Sequence, residues 1–69
     1  APTGATLLAQ AIKLHDQGKV SEAIGLANQA VVLYQADVNA GRNVEAASRG
    51  IKNAQKLISI WQESADTGM

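Results

Sequence analysis

His15 is the side chain of this sequence best suited to proton transfer at neutral pH, and it is the only histidine. Nucleophilic catalysis needs a nucleophile with a base within hydrogen-bond reach. The chain has no cysteine, and its serines stand at positions 21, 48, 59 and 64, none of which the sequence places beside His15. The sequence therefore predicts a protein that is not an enzyme.

A metal site is equally hard to assemble from these residues. His15 and Asp16 are adjacent, and adjacent residues of a helix point about 100° apart, whereas a zinc-type site needs three or four converging ligands. The sequence also lacks a glycine-rich phosphate loop, a catalytic carboxylate pair and an EF-hand pattern. We expect no metal and no cofactor. His15 is expected to face solvent or to lie in the cap region at its helix end, where its charged form suits the helix dipole.

Length and composition limit the remaining classes of protein. The 69 residues make a single domain, 1–69, and a chain this short buries only about 60% of the surface that it exposes when unfolded. Six basic and six acidic residues are mixed along the chain without a basic stripe, which argues against binding to nucleic acid. The longest apolar run, residues 30–34, is far shorter than the roughly 20 residues of a membrane span.

Two glycines divide the chain into three helical segments. Gly18 and Gly41 each follow an apolar-periodic segment and are expected to take the left-handed conformation that ends a helix. Thr3, Ser21 and Asn43 are the predicted N-caps of the three helices. The predicted helices cover about residues 4–17, 21–40 and 43–65. Because short connections make consecutive helices antiparallel, the sequence predicts an all-α, up-down-up three-helix bundle.

The second and third helices each carry an apolar stripe with alternating steps of four and three residues. The first stripe consists of Val20, Ile24, Ala27, Val31, Tyr34 and Val38, and the second of Val44, Ala47, Ile51, Ala54, Ile58 and Trp61. Alanines on these faces allow the helices to approach closely. Gly50 interrupts the third helix, and a close contact with a neighbouring helix is the expected reason.

Further apolar residues lie beside these stripes. A bundle helix has a broad apolar face, which accounts for some of them. The others predict an exposed patch that binds a partner protein. The predicted partner-binding residues are Leu26, Val32, Leu33, Ile60 and Trp61. For Trp61 the alternative is a lid over the turn between the first two helices, near Val20.

Two resemblances to known families follow from the glycine turns. Residues 11–24, with Gly18 in the turn and Glu22-Ala23 after it, resemble a helical hairpin of the tetratricopeptide or microtubule-interacting-and-transport type. Residues 18–58 resemble the small periplasmic helical-repeat metal-binding proteins of ammonia-oxidising bacteria, the SmbP type. The likeness lies in the turn Ala40-Gly41-Arg42-Asn43, the later Gly50-Ile51-Lys52 and the rhythm of the hairpins.

The SmbP-type family binds divalent metals through many histidines, and this chain departs from that pattern. The corresponding positions hold Lys19, Leu26, Leu33, Glu45, Ser48 and Asn53. The resemblance therefore implies a retained scaffold without the metal chemistry, whose outward leucines now dock on another protein. In an ammonia oxidiser, such a partner would be a large multihaem redox enzyme such as hydroxylamine oxidoreductase.

The leading hypothesis is thus a non-catalytic accessory subunit that is periplasmic or otherwise exported, with a cytoplasmic protein as the alternative. The start Ala1-Pro2-Thr3-Gly4 has the small residues typical of the end left by signal-peptide cleavage. Two other functions stay open. One is a periplasmic metal-binding protein, and the other is a module that takes a partner helix between two of its own helices.

Overall fold

The computed structural model describes residues 3–67, with side chains for residues 3–64. Within this range the chain forms three α-helices, α1 (Gly4–Asp16), α2 (Val20–Ala40) and α3 (Val44–Thr67). α2 packs along both of its neighbours, and α1 and α3 touch each other only at a few points. The all-α, up-down-up bundle is confirmed, and α2 is its central helix.

Both helix-ending glycines are confirmed. Gly18 has φ 83° and Gly41 has φ 73°. The Gly18 N–H donates to the His15 carbonyl at 2.9 Å and the Lys19 N–H to the Leu14 carbonyl at 2.9 Å. In the second turn, Gly41 and Arg42 donate in the same way to carbonyls of the last turn of α2. Each turn is thus a Schellman motif, which satisfies the end of a helix while the chain reverses.

Alanine at either turn is expected to destabilise the fold. A Cβ at Gly18 or Gly41 would meet no neighbouring atom within 4 Å, so the cost arises from backbone conformation alone and amounts to about 1–2 kcal/mol. Asparagine tolerates the left-handed region better than alanine. Urea denaturation should therefore rank both sites as glycine, then asparagine, then alanine, and equal stability of the alanine and asparagine variants would contradict the assignment.

The helix starts agree with the sequence in two cases of three. The Oγ1 of Thr3 accepts the N–H of Thr6 at 3.2 Å and so caps α1. Asn43 directly precedes α3, and its carbonyl accepts the N–H of Ala47 at 2.8 Å. The prediction of Ser21 as N-cap of α2 was wrong. Lys19 holds that position without a side-chain cap hydrogen bond, because the helix restarts at Val20, directly after the Schellman turn.

The core consists mainly of alanines. Among residues 3–64, the buried apolar side chains are Ala11, Ala23, Ala27, Ala30, Ala47, Ala54 and Trp61. The larger members of the two predicted stripes, Tyr34 included, are only half-buried. The exceptions are Val44, which is 43% exposed, and Trp61, which is buried. Small side chains thus fill the seams where helix axes approach, and the larger aliphatic side chains pack around them.

Candidate functional site

Trp61 lies in the core, at the end of the bundle where α1 turns into α2. Its side chain is 4% exposed, and it clusters with Ala11, Ala23 and Ala27, with Val20 packed against them. This is the place of the lid described by the alternative interpretation. Because the ring is already buried within the chain, Trp61 contributes almost no exposed surface and is removed from the candidate partner-binding residues.

His15 stacks on the ring of Trp61. The two ring centroids are 4.7 Å apart and the ring planes differ by 14°. His15 lies in the last turn of α1, in the cap region where it was expected, and it is half-buried. The apolar face of the imidazole covers the indole. The stack joins α1 to α3, which otherwise have few contacts.

A second aromatic side chain joins the three helices at the opposite end of α1. The ring of Tyr34, on α2, lies between Gly4 of α1 and Gly50 of α3, both of which are buried. A Cβ on Gly4 would lie 2.9 Å from Cγ of Tyr34, and a Cβ on Gly50 would lie 2.6 Å from its Cε1. The close contact expected at Gly50 is confirmed, and the group it accommodates is this ring.

A concave surface lies between α1 and α2. It has a volume of about 310 Å³ and is lined by Leu7, Gln29, Val32 and Leu33. Val32 is 66% exposed, more than any other large apolar side chain among residues 3–64, and Leu33 is half-buried. None of the four lining residues carries a charge. We refer to this feature as the apolar hollow.

Val32 lies about 200° around α2 from Tyr34, since it comes two positions earlier in the helix and each position turns the helix by about 100°. Val32, the most exposed of the lining residues, therefore points away from the Tyr34 ring. The residues that line the hollow are distinct from Gly4, Tyr34 and Gly50.

No protein-family model, curated protein or solved structure matches this chain. The resemblances to SmbP-type and tetratricopeptide-like proteins remain predictions from the residues quoted for them. What the chain can do is argued below from its own surface.

The five predicted partner-binding residues do not form one patch. Val32 and Leu33 line the apolar hollow. Leu26 is half-buried against the alanine and tryptophan cluster. Ile60 is 47% exposed on α3 and does not line the hollow. The sequence thus identified two of the four lining residues and overlooked Leu7 and Gln29.

Leu7 was missed because it comes from another helix. The contact between Gly4 and Tyr34 fixes how α1 lies against α2. In antiparallel helices, Leu7, one turn after Gly4, then lies level with the turn of α2 before Tyr34, which contains Val32 and Leu33. The apolar character of Leu7 is visible in the sequence, whereas this register is not.

Two further findings concern other kinds of site. Within the described residues, no group of three or more histidine, cysteine, aspartate or glutamate side chains could hold a metal ion. No helix in the same range is long and apolar enough to cross a membrane.

Proposed function

We propose that this chain is a non-catalytic interaction subunit that docks on a larger protein through the apolar hollow. The observation that carries the proposal is the exposure of Val32, 66%, beside the half-buried Leu33 in a concave surface without charge. Apolar grooves between helices are a recurring docking surface in protein–protein recognition. Aliphatic side chains in a hollow between helices suit an apolar side chain inserted by a partner.

The energetics of the small core support the same proposal. Complete burial of a valine side chain is worth about 1.5–3 kcal/mol, and most of that gain is still available at Val32. A partner that binds only the folded chain also stabilises the fold by mass action. Docking would therefore stabilise a domain whose own core is mainly alanine.

For the partner, we propose a large exported multihaem redox enzyme such as hydroxylamine oxidoreductase. This part of the proposal depends on the resemblance of residues 18–58 to SmbP-type proteins. Leu33, which replaces a metal-ligand position of that family, is one of the residues that line the hollow. The position that would hold a metal ligand in an SmbP-type protein thus holds a residue of the apolar hollow, and this connects the resemblance with the proposed docking surface.

Lysine at Val32 is expected to abolish docking while the domain stays folded. A charged head buried against an apolar partner surface loses its hydration without compensation, whereas Val32 is 66% exposed in the free chain. Calorimetric titration of the wild type and of Val32→Lys into purified hydroxylamine oxidoreductase measures the effect. We expect at least a tenfold weaker affinity for the variant and an unchanged circular dichroism spectrum.

Two further variants locate the surface. Gln55→Lys adds the same charge at an exposed position of α3 and is expected to bind like the wild type. Ile60→Lys tests the other exposed residue of the predicted set. If only Ile60→Lys lost binding, the interface would lie on α3 and not at the apolar hollow. If the wild type did not bind hydroxylamine oxidoreductase, this partner would be rejected.

The position of the hollow between two helices favours a second candidate, a module that binds an isolated partner helix. Such a module would bind amphipathic helical peptides that present leucine or isoleucine at i and i+4. The same Val32→Lys variant would lose that binding. If the chain binds the folded enzyme but none of these peptides, that result supports the leading proposal and contradicts this one.

A further inference from the structure

We draw no further inference here: the strongest candidate, the apolar hollow between α1 and α2 lined by Leu7, Gln29, Val32 and Leu33, belongs to the surface already described, and nothing in the structure shows what covers it.

Discussion

Replacement of Trp61 by alanine is expected to leave the chain largely unfolded at 25 °C. Trp61 is 4% exposed and is the only large side chain among the buried apolar residues of the described range. Truncation of a buried tryptophan costs about 3–5 kcal/mol. A domain of fewer than about 70–80 residues rarely gains more than about 3–5 kcal/mol from its core. The loss is thus as large as the stability itself, and the helical signal at 222 nm should fall towards that of an unfolded chain.

Neighbouring variants show whether this loss is specific to the buried ring. Ile60→Ala alters the adjacent residue, which is 47% exposed, and should lower the free energy of unfolding by no more than about 1 kcal/mol. Trp61→Phe retains an aromatic ring over His15 and should fold with reduced stability. Equal urea midpoints for Trp61→Ala and Ile60→Ala would contradict the central place of Trp61 in the core.

The helices and their order could be predicted from the sequence because the signals for them are local. Gly18 and Gly41 have positive φ angles, which few other residues adopt at low cost. The apolar periodicity between these glycines indicates the helical faces without reference to any other part of the chain. Ser21 shows the limit of local rules. It is a good capping residue, yet it is the second residue of α2, because the backbone of the preceding turn had already set the helix start.

The contacts between helices could not be predicted in the same way. The sequence shows that Trp61 and Tyr34 lie on apolar stripes, but their partners depend on the register of one helix against another and on the side of α2 that α1 occupies. The stack of Trp61 on His15 and the position of Leu7 beside Val32 both follow from that arrangement. Of the four residues that line the apolar hollow, the sequence therefore predicted only Val32 and Leu33.

Replacement of Gly50 by alanine is expected to destabilise the fold, against the intrinsic preference of helices for alanine. In an open helix this change gains up to about 1 kcal/mol. Here the new Cβ would lie 2.6 Å from Cε1 of Tyr34. The ring cannot simply move away, because Gly4 contacts it from α1. Overpacking of this kind costs about 1–3 kcal/mol. We expect a lower melting temperature, by about 4–8 °C for each kcal/mol lost.

Gly25 provides the matched control for Gly50, because it is a glycine inside α2 whose added Cβ would meet no atom within 4 Å. Gly25→Ala should raise the melting temperature, since only the helix preference acts there. The changes in melting temperature of the two alanine variants should therefore have opposite signs. A rise in both would show that the Tyr34 ring can shift away from the new Cβ at little cost. A Tyr34→Leu background identifies the cause. Without the ring, Gly50→Ala should no longer destabilise, and this coupling in a double-mutant cycle would assign the need for glycine at position 50 to Tyr34.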